Sequence, residues 1–212
     1  PRHLTVLILG SGGREHAMAH AVQQSLRCSR LLVTPGNGGM PGEQFCVAVD
    51  DVGGIVSLCE TEKVDLVLIG PELALAAGVV DALSAIGVKA FGPTQQLAQI
   101  EASKVYSREL AAQLGIPGPR FASFNTGDSE SAVAWWKELG APVVVKQSGL
   151  AGGKGVVVPD NDMQTHSAIV EALAIGQVVL EEKLQGPECS LMALCDGVVA
   201  VPLPVAQDHK HI

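Results

Sequence analysis

Gly10-Ser11-Gly12-Gly13-Arg14-Glu15-His16 follows a short apolar run and opens a stretch with helical spacing. Glycines in such a turn accept positive φ and let a ligand approach the backbone, and the N–H groups at a helix start attract an anion. Two residues argue against the dinucleotide version of this turn. Glu15 stands where the third glycine belongs, and the next apolar run ends Leu32-Val33-Thr34-Pro35 without an acid for a ribose. A bare structural turn and a phosphate site without a nicotinamide both remain open.

A second glycine-rich segment, Gly149-Leu150-Ala151-Gly152-Gly153-Lys154-Gly155, departs from the P-loop. Ser148 replaces its first glycine, and Gly155 follows the lysine where Ser or Thr should meet magnesium. It reads as a hairpin tip or as a cover over nucleotide phosphates, because exposed backbone N–H groups form an anion nest. Lys146 lies within the apolar run Pro142-Val143-Val144-Val145-Lys146. A lysine there needs an anion, a carboxylate or an edge position that reaches water. Glu181 and Glu182 close another apolar run, either as a solvated exit or as a hinge against an adenine edge, with Glu188 placed for a ribose. His16 and His20 are four apart on one helix, but no glutamate base lies between them and no third ligand is evident, so no metal site is assigned.

The elements that must carry these residues alternate in type. Strands are expected at Leu4–Leu9, Arg30–Thr34, Asp65–Ile69 and Val88–Phe91. Helices are expected at His16–Ser25 and Gly78–Ile86, and another ends in Leu58–Lys63. This is the pattern of βαβ units and a parallel sheet. Each strand ends in a turn: Gly10–Gly13, Pro35-Gly36-Asn37, Gly70-Pro71-Glu72 and Gly92-Pro93-Thr94. Such carboxyl-end turns gather along one sheet edge, where ligands bind. Thr94–Leu114 is expected as one long helical region, and Pro117-Gly118-Pro119 as a domain connection. Beyond it, helices at Ser131–Leu139 and Thr165–Ala174 and strands at Val143–Lys146, Val156–Val158 and Val178–Glu182 make a small α+β unit. Its strands flank the glycine loop as an antiparallel pair. Leu191–Ala193 and Val198–Val201 begin a further sheet.

Composition agrees with this layout and removes other classes. The 212 residues are 47% hydrophobic, 17% charged and 3% aromatic, which suits an aliphatic core under a parallel sheet. A formal charge of −8 without a basic cluster argues against nucleic acid. No apolar stretch approaches the ~18 residues of a membrane span, and the start lacks a secretory signal. Cysteines 28, 46, 59, 189 and 195 show no Cys-x-x-Cys, which fits a reducing compartment, so a cytoplasmic protein is expected.

Taken in order, these motifs resemble the glycinamide ribonucleotide synthetase (phosphoribosylamine–glycine ligase) family of the ATP-grasp superfamily. The resemblance runs through Gly-Ser-Gly-Gly-Arg-Glu-His at 10–16, Pro-Gly-Asn at 35–37, Gly-Pro-Glu at 70–72, Gly-Pro-Thr at 92–94 and Glu-Ala-Ser-Lys at 101–104. It continues through Gly-Leu-Ala-Gly-Gly-Lys-Gly at 149–155, Leu-Glu-Glu at 180–182, Gly-Pro-Glu at 186–188 and Gln-Asp-His-Lys at 207–210. It implies ligation of glycine to 5-phosphoribosylamine at the expense of ATP, through glycyl phosphate.

On this resemblance the fold is α/β: a parallel-sheet, Rossmann-like (pre-ATP-grasp) substrate-binding domain over 1–103 and a helix and linker over 104–120. A small α+β ATP-grasp subdomain over 121–184 and the start of a larger lobe over 185–212 follow. Lys104, Lys146 and the loop residues Gly149, Gly152, Gly153, Lys154 and Gly155 are expected on ATP. Glu181, Glu182 and Leu184 would frame the adenine, and Glu188 the ribose. Gly10, Gly12, Gly13, Arg14, Asn37 and Glu72 would take phosphoribosylamine, while Asp208, His209 and Lys210 approach the reacting end. Ser148 and Lys183 stand where relatives commonly have an acid and an aromatic. The family's magnesium ligands are expected after Ile212, so the chain is expected to be an N-terminal part, inactive alone. The competing classes are another ATP-grasp ligase, such as a biotin carboxylase-like enzyme, and a non-catalytic nucleotide-binding module.

Overall fold

The computed structural model describes residues 3–149 and 155–209. The first unit runs β1 (Leu4–Gly10), α1 (Gly13–Gln23), β2 (Cys28–Pro35), β3 (Glu43–Gln44) and α2 (Val52–Thr61). It continues through β4 (Leu66–Ile69), α3 (Glu72–Ala76), α4 (Val79–Ala85) and β5 (Lys89–Phe91). Its strands form one parallel sheet in the order β3-β2-β1-β4-β5. Side chains alternate along β1, and both faces are covered. Leu7 and Leu9 join one buried cluster with Leu32, Ile55, Val67 and Leu83, while Val6 and Ile8 join another with Ala19, Leu31 and Val33. This two-sided burial is why the strand reads as an unbroken apolar run.

Where one long helix was expected there are two, α5 (Gln95–Ala102) and α6 (Lys104–Gln113). Ser103 separates them with extended backbone, φ −129° and ψ 109°. Its N–H donates to the Gln99 carbonyl at 2.9 Å, and its hydroxyl accepts from the Tyr106 N–H at 3.2 Å. A serine that caps the following helix gives the break its own hydrogen bonds.

The second unit contains β6 (Phe121–Phe124), α7 (Ser129–Leu139), β7 (Val143–Gln147), β8 (Val156–Val157), α8 (Asp162–Ile175) and β9 (Val178–Glu182). The strands form an antiparallel sheet in the order β6-β9-β7-β8. Val145, Val178 and Leu180 pack on one face against Ala132 of α7 and Ile169 and Leu173 of α8. Register then puts Val144, Lys146, Val179 and Glu181 on the opposite face.

The last strands are β10 (Glu188–Ser190), β11 (Ala193–Cys195), β12 (Ala200–Pro202) and β13 (Ala206–Asp208). They form two separate antiparallel pairs, β10 with β13 and β11 with β12, instead of the single sheet start expected. Their apolar residues Leu194 and Val201 are exposed, as is Leu191 between β10 and β11. Among the described residues no helix is long and apolar enough to cross a membrane.

Candidate functional site

Three of the four expected turns meet at the carboxyl end of the parallel sheet. The Gly36 N–H donates to the Gly10 carbonyl at 3.2 Å, and the Gly70 N–H donates to the Leu9 carbonyl at 3.1 Å. Asn37 Nδ2 reaches the Ser11 carbonyl at 2.8 Å. The turn at Gly92 packs instead against Leu75 and Val80.

Glu15 organises this corner. It is the third residue of α1, is 5% exposed, and reaches back to accept the Gly12 N–H at 2.7 Å, the reciprocal half of a capping box. A Cβ at Gly10 would lie 2.5 Å from Glu15 Cγ, and one at Gly70 would lie 2.0 Å from Glu15 Oε1. These glycines therefore make room for a carboxylate of the chain itself. The helix start at Gly12, expected for an outside phosphate, already has an internal anion there. Among the described residues nothing lies within 4 Å of a Cβ at Gly13.

Arg14 arches over the same corner. Its Nε donates to Glu15 at 3.0 Å, its Nη1 to Glu72 at 3.1 Å and its Nη2 to the Gly70 carbonyl. The bond to Glu15, first among the causes, pushes the guanidinium pKa up. The Glu72 carboxyl is held below its ordinary range, first by its own backbone N–H and then by Arg14. Gly10, Gly12, Arg14, Asn37 and Glu72 thus share one corner of the fold.

A second group forms around the base of the glycine loop. Lys104, the first residue of α6, donates to the Gly149 carbonyl at 3.1 Å, and the Ser103 and Ser148 hydroxyls stand 3.5 Å apart. Gly149 has a φ of 107°, and the Gln147 N–H donates to the Gly155 carbonyl at 2.7 Å, closing the loop's neck. Gly152, Gly153, Lys154 and Lys210 lie outside the described residues.

Lys146 meets a carboxylate. Its Nζ donates to Glu181 Oε2 at 2.7 Å. Arg108, one turn after Lys104 on α6, grips the same carboxylate with Nε at 2.6 Å from Oε1 and Nη2 at 2.9 Å from Oε2. Burial raises the Glu181 pKa, but hydrogen bonds from Arg108 and Lys146 outweigh it, and the carboxyl stays below its ordinary range. Glu182 is turned the other way, paired through both oxygens with Arg120 at 2.8 and 3.1 Å. Both acids expected beside an adenine are therefore held by arginines, and the Glu182 and Lys183 N–H groups donate to the Arg120 and Pro142 carbonyls, each at 2.8 Å. Leu184 is 65% exposed.

Glu188 and Asp208 stand opposite each other across β10 and β13, so register brings the expected ribose acid beside the expected reacting end. His209 follows β13 and is exposed.

Arg108 was not anticipated, although the sequence carried a signal for it. Lys104 and Arg108 are four residues apart on one helix. Like charges at that spacing repel unless something anionic faces them.

Known proteins bear on both groups. The family description "Phosphoribosylglycinamide synthetase, N domain" matches residues 4–101, and "Phosphoribosylglycinamide synthetase, ATP-grasp (A) domain" matches residues 102–212. The phosphoribosylamine–glycine ligase of Synechocystis is 43% identical over 99% of this chain and 51% of its own length. That of Xanthomonas campestris is 41% identical, again over 99% of this chain and 51% of its own length. The chain thus spans about half the length of the curated relatives it matches. The crystal structure of phosphoribosylamine–glycine ligase from Thermotoga maritima superposes with a TM-score of 0.72 at 29% identity, over 95% of this chain and 49% of that one. An ADP complex of N5-carboxyaminoimidazole ribonucleotide synthetase shares the fold, with a TM-score of 0.81 at 20% identity over 100% of this chain and 55% of that one. The chain belongs to the phosphoribosylglycinamide synthetase family.

Proposed function

We propose that this chain supplies the amine-substrate domain and part of the nucleotide site of a cytoplasmic ATP-dependent ligase of purine biosynthesis. The enzyme joins glycine to 5-phosphoribosylamine and releases ADP and phosphate. The observation that carries this reading is that Lys104 meets the glycine-loop neck one helical turn before Arg108, which shares Glu181 with Lys146, within a match to phosphoribosylamine–glycine ligases that covers 99% of the chain.

A carboxylate is a poor electrophile, so ATP first transfers its γ-phosphoryl group to a glycine oxygen. The amine of phosphoribosylamine then attacks the carbonyl carbon, the C–O bond to phosphate breaks, and phosphate leaves. Catalysis is chiefly positioning and charge neutralisation. Lys104 and Lys146 meet the nucleotide phosphates under the loop at 149–155. The hinge Glu181, Glu182 and Leu184 borders the adenine, and Glu188 takes the ribose. Phosphoribosylamine occupies the corner of Gly10, Gly12, Gly13, Arg14, Asn37 and Glu72, and Asp208, His209 and Lys210 lie toward the reacting end. Magnesium, when bound, would neutralise phosphate charge. Among the described residues no cluster of three or more His, Cys, Asp or Glu could hold it. The −8 charge gives anionic substrates no long-range attraction, so local glycines and cations must hold them, and neither nucleic acid nor membrane is proposed as a partner.

Calorimetric titration with Mg·ATP tests the site. Binding should saturate, and Lys146→Ala should weaken it by about 1.5–3 kcal/mol, the scale of a hydrogen bond to a charged group. Unchanged affinity in that variant removes Lys146 from the phosphates, and saturable NAD binding overturns the reading. Glycine-dependent phosphate release, measured on the chain joined to the remaining half of the Synechocystis relative, tests the ligation itself.

A further inference from the structure

The two cationic partners of Glu181 are not equivalent. Arg108 takes both carboxylate oxygens, at 2.6 and 2.9 Å, whereas Lys146 takes one, at 2.7 Å. A guanidinium fork matches a carboxylate in a fixed plane, while an ammonium is a point donor on a rotatable stem. Glu181 is 4% exposed and sits on the sheet face opposite α7 and α8. If Lys146 is to reach a phosphate, its ammonium must leave this carboxylate. With no other partner, that departure would strand a buried charge.

We propose that Arg108 is a positioning residue for nucleotide: the permanent counter-ion of Glu181, which lets the Lys146 ammonium pass from carboxylate to phosphate without leaving a buried charge unpaired. This rests on the nucleotide reading above. The backbone placement supports it. Ser103 starts α6 so that Lys104 meets the loop neck while Arg108, one turn later, meets Glu181. Among the described residues, the charged groups facing Glu181 are Arg108 from α6 and Lys146 from β7. Across from it on β6 stands Phe121, and Glu182, next along β9, is turned to Arg120. The carboxyl is held low, so it stays ionised through neutral pH and needs a cation whether or not nucleotide is present.

The test is Mg·ATP affinity by calorimetry from about pH 8 to about pH 4, a span that reaches the ordinary carboxylate range. It is read as the ratio of variant to wild type at each pH, so that the nucleotide's own titration cancels. Arg108→Met should bind about 10- to 100-fold more weakly at the upper pH, because Lys146 is then the one cation left on Glu181 among the described residues. The gap should close only at the acid end, as pH falls into the ordinary carboxylate range, where protonation of Glu181 releases the lysine. Adding Glu181→Gln to Arg108→Met should restore most of the affinity at the upper pH. Arg108→Lys keeps one charge and should fold where Arg108→Met does not, with a smaller loss that varies less with pH. A loss of the same factor at every pH, unrelieved by Glu181→Gln, or no loss at all, overturns the proposal while leaving the nucleotide site in place. Failure of the wild-type chain to bind Mg·ATP overturns the nucleotide reading and this one with it.

Discussion

Glu15 and Glu181 are both buried, 5% and 4% exposed, yet they are held in opposite ways. Glu15 accepts from the backbone of its own helix start and from the arginine next to it in sequence, with Gly10, Gly12 and Gly70 packed close around it. Glu181 is held by side chains 73 and 35 residues away. A backbone donor cannot leave without unwinding the helix, whereas a lysine can leave by rotating its stem. The first arrangement fixes the geometry of a corner, and the second permits an exchange of partners.

The largest effect that separates the two should come from Arg108→Met. Breaking a buried ion pair by removing one partner costs about 3–5 kcal/mol, and the retained Lys146 should keep this case near the lower end. Urea unfolding at neutral pH measures it. Acid should erase the difference. The Glu181 pKa is lowered in the fold, so its stabilisation is present above the unfolded value and disappears as pH falls through the folded one. A loss from Arg108→Met that persists unchanged in acid would mean that the arginine acts by packing alone.

At the other corner the sharpest probe is steric. Gly70→Ala would place a carbon 2.0 Å from Glu15 Oε1 and should destabilise by about 1–3 kcal/mol, the scale of overpacking. An unchanged melting temperature would show that Glu15 does not fill that space. Glu15→Gln keeps an oxygen for the Gly12 N–H and should cost less, about 0.5–1.5 kcal/mol. The smallest effect belongs to a half-exposed surface cluster of reversed sign, Arg30 between Glu43 and Glu62 at 2.5–2.7 Å. Such pairs are screened by water and salt. Arg30→Ala should leave the urea midpoint within error at high salt, and a shift comparable with Arg108→Met would remove the distinction drawn between buried and surface ions.

Much of the first unit was legible because its signals are local. Each apolar run ended in a glycine turn, and parallel pairing brought three of those turns together. The turn Gly10–Gly13 also announced its departure from a dinucleotide site through Glu15, but not what Glu15 does, since the space it fills is shared with Gly70, far along the chain. Arg108 and Arg120 stayed hidden for the same reason: their partners, Glu181 and Glu182, become neighbours only when β9 pairs with β6 and β7. The split at Ser103 was hidden by helix propensity on both sides of it, although the capping hydroxyl was in plain sight.

Ser103 also decides how the chain can be dissected. By sequence, α6 looks like the tail of the first unit, and the flexible-looking Pro117-Gly118-Pro119 invites a cut there. Such a cut would send Lys104 and Arg108 away with the wrong piece, leaving Glu181 with one cation and the loop neck with none from α6. A transplantable nucleotide module must therefore begin before Ser103, so that the helix, its cap and both cations travel as one part.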